Sequence, residues 1–522
     1  MSSRRCIPVS LSLLLSLWFC GAQASKAAVP STLSARPAAV FKAGFAERDI
    51  TPEIGMEQPG GYGKAFHRAR HDVCKVRAAV FDDGRTRIAV VAIDALMIRR
   101  PSVETARKAI SRRCGIAEEA ILICASHSHS AGPTGMVVPG EYDHASDLVR
   151  SLAYEKSSCA DAKYLQRVEK AIIEAVLEAN ERRAMARAAA GLGTENTVAF
   201  NRRFRMTDGM TFSHPGQGNP LIVEPAGPID PQVGVLGVWD SEGKLLGCIV
   251  NYACHATTGP GGISADYIYY IEKTIRGLLG EQAIVVFLQG AAADVTQVDN
   301  RSPHQVSQFG EAASRLVGGR IGAEALKVLL SAQAGAGPLQ PLAFETRTLR
   351  IKRRTPSPEH LAKAMDTVRK GPAKAEDQTE WTFAKEIVLL DAKLKKEPVA
   401  AVEVQALQIG PVVLLACPAE YFCQYGLELK SGSKFPFTFP VSLANDCVGY
   451  VPTQEAFGPH GGGYETRLTS YSNLEPRAGR MIADALLELC GRMAPGTPPK
   501  PPPVPPFKGQ PWPYGNRPPE LD

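Results

Sequence analysis

Short, nearly unbroken apolar runs alternate along the chain with segments whose apolar residues recur every three to four positions. The first pattern reads as buried strands and the second as helices packed against them. KVRAAVFDDGRTRIAVVAIDAL, starting at Lys75, predicts a hairpin turning at Asp83-Gly84. PSVETARKAISRRCG, from Pro101, predicts a helix, and AILICAS, from Ala120, the next strand. Leu165, Val168, Ile172 and Val176 share one helical face, so a long helix is expected from about Ala162 to Ala190. VGVLGVWDSEGKLLGCIVNYA predicts a second hairpin through a Ser-Glu-Gly turn, and AIVVFLQG a buried strand. AVEVQALQIGPVVLLACPAE predicts a third hairpin around Gly410-Pro411. The lysine-rich helical stretch from Arg353 to Lys396 reads as a peripheral insertion, and no segment repeats another. This order of elements is that of an α/β fold: mixed sheets with β-hairpins, flanked by helices.

The two ends read differently. Arg4 and Arg5, the apolar stretch Ile7 to Phe19 and the small-residue Ala22-Gln23-Ala24 make residues 1–24 a secretory leader. The expected destination is the exterior, the periplasm or the cell surface. The last 29 residues, from Ala494, hold 12 of the 40 prolines and predict an extended, disordered tail. One catalytic domain of about residues 38–493 is expected between them. Over 522 residues, 59 basic against 53 acidic side chains leave +6, too small and too diffuse for a nucleic-acid footprint. The 44% hydrophobic content supports a sizeable core. Of 12 cysteines, two lie in the leader. Cys248, Cys254, Cys417 and Cys423 admit pairing or simple burial, and no CxxC pair marks a zinc ribbon.

Standard catalytic strings (HExxH, GxSxG, a Walker loop, GxGxxG) are missing from the sequence. Instead, five apolar runs each end in residues suited to a metal site. AILICAS leads to His127-Ser128-His129, GCIVNYAC to His255, and IVVFLQG to Asp294-Val295-Thr296; PVVLLACPA leads to Glu420 and FPVSLANDCVG to Tyr450. Ligands of α/β folds bind at the carboxyl ends of strands, so these tips are candidates for one crevice. His127 and His129, two apart, would point the same way in an extended chain. Two His and one Glu form the ligand set of hydrolytic zinc sites, so His127, His255 and Glu420 are the expected ligands. His129, where it is not itself a ligand, is placed to hydrogen-bond an oxyanion. Plainer roles remain open: His255 as a hydrogen-bonded structural residue, Glu420 as the cap of a helix through YFCQYGLELK, and Tyr450 as a core aromatic.

At these residues the sequence resembles the neutral/alkaline, non-lysosomal ceramidases, from about Phe41 to Met493. AERDITP, QPGGYG, ASHSHSAGPTG, FNRR, NYACHA, ADVT, PAEYF and NDCVGYVPTQEAFGPHGGGYE follow the order of that family's motifs. The resemblance implies one zinc ion held by His127, His255, Glu420 and Tyr450. It also implies that His129, Arg202 and Tyr464 contact the amide carbonyl, and that Thr296 stands where the family has its active-site serine. The implied reaction is hydrolysis of the amide of ceramide or a related N-acyl substrate, with a lipid substrate admitting peripheral membrane contact. The chain departs from the pattern at Ala256 after His255, at Thr296-Gln297-Val298, and in the glycine-rich GPHGGGY. Past Met493 only the proline tail follows, where the family carries an immunoglobulin-like domain. Two alternatives stand beside this expectation: a zinc hydrolase of a non-lipid amide or ester, and a non-catalytic surface-binding relative. Oligomeric state is not encoded in any pattern found.

Overall fold

The computed structural model describes residues 40–304, 307–372, 377–510, 512, 514 and 517–522; the expected leader lies outside them. Twelve strands form the core, in three sheets that are laid down the same way. The first unit runs β1 (Lys42–Asp49), β2 (Lys75–Asp82), β3 (Arg87–Ile93), α1 (Arg100–Cys114), β4 (Ile121–Ala125) and α2 (Ala162–Glu181). The second runs β5 (Arg187–Thr194), β6 (Gln232–Trp239), β7 (Leu245–Tyr252), α3 (Tyr267–Leu279), β8 (Ile284–Gln289) and α4 (Glu311–Ala332). The third begins with β9 (Leu342–Lys352), inserts α5 (Pro358–Lys370) and α6 (Gln378–Lys396), and continues through β10 (Val399–Ile409) and β11 (Val412–Ala416). It closes with α7 (Cys423–Gly432), β12 (Phe437–Val441) and α8 (Ala478–Arg492).

In every unit the four strands lie side by side in chain order, the first three antiparallel and the fourth parallel to the third. A parallel neighbour needs a crossover, and α1, α3 and α7 provide it. Each of those helices packs on the helix that follows, and α2, α4 and α8 cover the first two strands of their own sheets. The expectation that nothing repeats is thereby corrected. A threefold repeat exists in topology, where it needs only the same alternation of buried strand and amphipathic helix, not the same letters.

The edge strands β4, β8 and β12 meet at the centre of the molecule, where backbone and amide groups join one sheet to the next. Ser442 N–H donates to the Gln289 carbonyl (2.9 Å), and Asn251 Nδ2 donates to the carbonyls of Leu288 and Pro440 (2.9 Å each). Ala125 N–H reaches the Leu443 carbonyl (3.2 Å) and Asn445 N–H that of Ile123 (2.8 Å). With helices on one face and other sheets against the rest, β4 and β8 are buried throughout, which is why their sequences do not alternate.

All three expected hairpins are present, as β2–β3, β6–β7 and β10–β11. Two expectations need correction. The long helix stops at Glu181, because Arg187–Thr194 pairs with β6 instead. Gly191 and Gly193 favour that outcome, since a Cβ there would stand 2.6 Å from Val328 Cγ1 and 2.4 Å from Glu324 Oε1 on α4. The stretch Arg353–Lys396 is not peripheral. Each unit carries an insertion between its first and second strands (50–74, 195–231 and 353–398), and residues from all three reach the site described below. In the third, Lys385 is fully buried and donates to the Tyr62 carbonyl (2.6 Å) and Ser157 Oγ (2.7 Å). The ten cysteines of the described residues are all free thiols, eight of them buried, so they act as small core side chains. No described helix is long and apolar enough to cross a membrane, and the described tail residues form neither helix nor strand.

Candidate metal and catalytic site

Residues carried past the ends of the third and fourth strands of the three units converge on one point. His127 follows β4, His255 follows β7 and Glu420 follows β11. His127 Nε2 lies 3.0 Å from His255 Nε2, and Glu420 Oε2 lies 3.3 Å from each. His129 Nε2 stands 3.4 Å from His127 Nε2, and the three imidazoles form one group with metal-ligating spacing. The His127-x-His129 pair does not meet as an extended chain, contrary to expectation. His127 has φ 65°, a left-handed backbone that turns the chain immediately after β4 and brings the two rings edge to face at 4.8 Å. Such a conformation costs about 1–3 kcal/mol for a residue with a Cβ, and strain of this size gathers at functional sites.

The orientation of the rings decides what this group can hold. His127 Nδ1 faces the Leu96 carbonyl at 2.9 Å, and His255 Nδ1 faces the Ala292 carbonyl at 2.8 Å. A carbonyl only accepts, so each Nδ1 carries a proton, the tautomer that leaves Nε2, on the inward side, as the nitrogen able to ligate. Burial, Arg202 and His127 pull His255 down to about 3, so its ring is neutral at pH 7. The Glu420 carboxyl lies buried against these two imidazoles. Its Oε1 accepts from the Tyr471 hydroxyl at 2.7 Å, while its buried Oε2 has no hydrogen-bond partner. Two lone pairs and an orphaned carboxylate oxygen facing one another fit a small cation with mixed nitrogen and oxygen ligands. Carbonyls on the far ring nitrogens and a phenol on the carboxylate are the partners that orient such ligands.

Arg202 runs along one side of the group. Its Nε donates to Glu465 Oε1 (2.9 Å), Nη2 to the Tyr450 hydroxyl (3.3 Å), and Nη1 lies 3.3 Å from His255 Nε2. The Tyr450 and Tyr464 hydroxyls are 3.2 Å apart, and the guanidinium stands 5.0 Å from the Tyr464 ring centroid. Burial drives both phenols up, so they remain protonated donors at neutral pH. Thr296 lines the same cleft, with its hydroxyl donating to Gln297 Oε1 (2.8 Å) and 3.4 Å from that of Thr257. All eight candidate residues thus gather in one place. His127, His255 and Glu420 touch directly, whereas Tyr450 reaches the group through Arg202 and Tyr464. Glu420 is no helix cap: Phe422 precedes α7, and Asp294 Oδ1 accepts from Cys423 N–H there at 2.8 Å.

Sequence reasoning missed the supporting residues. Glu465, fully buried between Arg202 and Ser213, and Tyr471 both lie close to Tyr464 in YETRLTSY, where an acid beside a candidate residue was the available signal. The Leu96 and Ala292 carbonyls leave no trace in a sequence, since every residue has one. Gly60 was seen only as part of a motif; with φ 120° it lets the backbone approach His129, whose Nδ1 would lie 2.4 Å from an added Cβ.

Two cavities open from the group, and His129 and Tyr464 line both. One, of about 320 Å³, has largely apolar and aromatic walls, including Leu96, Met97, Met136, Tyr62 and Phe383. The other, of about 440 Å³, is edged by His214, Gln217, Thr257, Thr296, Asn300 and Gln308. The two cavities thus share a border at which a cation-ready group and several hydrogen-bond donors stand.

No protein-family model matches the sequence, and no curated protein matches it. Among solved structures, the neutral ceramidase from Pseudomonas aeruginosa superposes with a TM-score of 0.64 at 20% identity, over 88% of this chain and 76% of that one. A ceramidase complexed with C2 superposes with a TM-score of 0.62 at 18% identity, over 88% and 77% of the two chains. The chain therefore has a fold similar to that of the neutral ceramidases.

Proposed function

We propose that this chain is an exported zinc-dependent hydrolase that cleaves a linear N-acyl amide of the kind found in ceramide. One observation carries the reading: His127 Nε2, His255 Nε2 and Glu420 Oε2 lie within 3.0–3.3 Å of one another, with no protein donor on Glu420 Oε2. The likeness in fold to ceramidases supports the class of substrate, and the leader expected over residues 1–24 supports export. His127, His255 and Glu420 would hold the zinc, and His129, beside His127, or Tyr450 would complete its coordination. When bound, zinc lowers the pKa of a water to about 7 and polarises a carbonyl.

The remaining chemistry falls to the chain. Net hydrolysis adds the water oxygen to the acyl carbon, breaks the C–N bond and leaves a protonated amine. Charge develops on the carbonyl oxygen as the carbon becomes tetrahedral. Arg202, which stays charged, and Tyr464, which stays protonated, are the donors aimed at that charge, each typically worth about 3 kcal/mol of barrier. Burial and the neighbouring imidazoles pull His129 well below its usual range, so it is a neutral ring suited to hydrogen-bonding the carbonyl oxygen rather than to taking up a proton.

Metal analysis and hydrolysis assays on the purified chain test this. His127→Ala and Glu420→Gln should each lose bound zinc together with cleavage of N-acyl amides. If both variants kept full zinc and full activity, the reading would be wrong. A parallel panel of matched amides and esters separates amide hydrolysis from the ester alternative, for which preferential ester cleavage is the expected sign.

A further inference from the structure

The three insertions between first and second strands each send a side chain to the cleft: Tyr62 from the first, Arg202 from the second and Phe383 from the third. Phe383, on α6, lines the apolar arm, half-buried, its ring 5.9 Å from that of Tyr62. On its other side the Arg467 guanidinium lies 3.5 Å from the ring centroid, and Arg467 is itself held by Glu380 through bonds of 2.9 and 3.0 Å. Beyond this sandwich lies a separate cavity of about 430 Å³ edged by His360, Lys363, Lys370, Asp377, Glu380 and Arg467. Phe383 lines both cavities. It is a wall one side chain thick, with an apolar arm in front and a charged chamber behind.

We infer that Phe383 is a specificity-determining residue that limits the length of the apolar group the cleft accepts. The favoured substrates are then amides whose apolar group on the Phe383 side is compact. The apolar arm, at about 320 Å³, has room for about ten methylene-sized groups if each takes roughly the 30 Å³ of a water molecule. The opposite arm sets Gln217, Thr257, Asn300 and Gln308 beside Val298 and Phe309, so it offers hydrogen bonds along a partly apolar wall. A longer chain would have to displace Phe383 and the Arg467–Glu380 pair to enter a chamber edged by charged side chains.

This inference rests on the amide hydrolase reading, so its test must fail separately from it. N-acyl amides of one hydroxylated amine, from butanoyl to stearoyl, are assayed with the wild-type chain, Phe383→Ala and Phe383→Trp. The wild type should gain in kcat/KM with chain length and then level off near ten carbons. Phe383→Ala should move the plateau to longer chains, gaining about fourfold per newly buried methylene, and Phe383→Trp should move it to shorter ones. Opposite shifts from the two variants exclude a general loss of structure. Affinities of the matching fatty acids, measured by calorimetry on the zinc-loaded chain, read the same length dependence whether or not the amides turn over. Cleavage of no amide with a length-dependent affinity that shifts in the variants would sink the reaction and keep the gate. A profile identical in all three proteins would overturn the role of Phe383.

Discussion

The geometry of the candidate ligands is set by the hydrogen-bond partners just beyond them. Glu420 could rotate freely about its last torsion, but the Tyr471 hydroxyl holds Oε1 at 2.7 Å and leaves Oε2 aimed at the imidazole pair. Tyr471 also lies 3.3 Å from Cys447 Sγ and packs edge to face on Tyr450 at 5.5 Å, so its ring has little freedom. Replacing Tyr471 by Phe keeps the ring and removes only the hydroxyl. The expected result is zinc affinity weaker by about 10–100-fold, the usual effect of losing such a partner, with a nearly unchanged melting temperature. Competition with a chelator of known affinity measures it, and unaltered affinity would show that Glu420 needs no orienting group. At this scale the residue types were readable, because histidines and a carboxylate after strand-like runs are distinctive. Tyr471 was not, since nothing in a sequence separates a phenol that orients a ligand from one that fills a core.

Helix α6 shows how an element can be read correctly and placed wrongly. Its amphipathic spacing and lysines predict an exposed helix, yet Lys385 and Lys393 are turned inward and paired. Lys393 Nζ lies 3.2 Å from Glu141 Oε1, and Arg99 Nη2 lies 3.6 Å from the same oxygen. Burial raises the Glu141 carboxyl, but Lys393 and Arg99 prevail and hold it down at about 2. A carboxyl whose folded pKa is depressed stabilises above its unfolded value of about 4.3 and loses that contribution as pH falls through the folded one. Acidification from pH ~4.3 to ~2 should therefore loosen α6 from the body, and with it Phe383. Amide exchange in residues 378–396, followed against pH, should rise across that window. In Glu141→Gln it should be raised already at neutral pH and lack the acid step, whereas an unchanged acid step would assign the transition to another carboxyl. The helix was legible from its periodicity; its partners, more than 200 residues away in sequence, were not.

Three units built alike would be separable if each closed on itself, but their fourth strands are shared edges. Asn251 spans two units by donating to the carbonyls of Leu288 and Pro440. Asn251→Leu would leave both buried acceptors without that donor, at about 1–3 kcal/mol for each unsatisfied group. The expected effect is a lower urea midpoint with an unchanged slope and still a single transition, because no unit can open without exposing the edges of the other two. A separate early transition would mean that the units unfold independently. The alternation of buried strands and amphipathic helices, the three hairpins and the residue types at the strand ends were determined by the sequence alone, since each depends on spacings within a few residues. Tertiary structure decided the rest. Arg187–Ala190, expected at the end of a helix, became part of the strand Arg187–Thr194, Arg353–Lys396 became a wall of the cleft, and His127, His255 and Glu420 became neighbours. Those outcomes depend on pairing and packing between distant segments, whose energies exceed local preference and which no local spacing records.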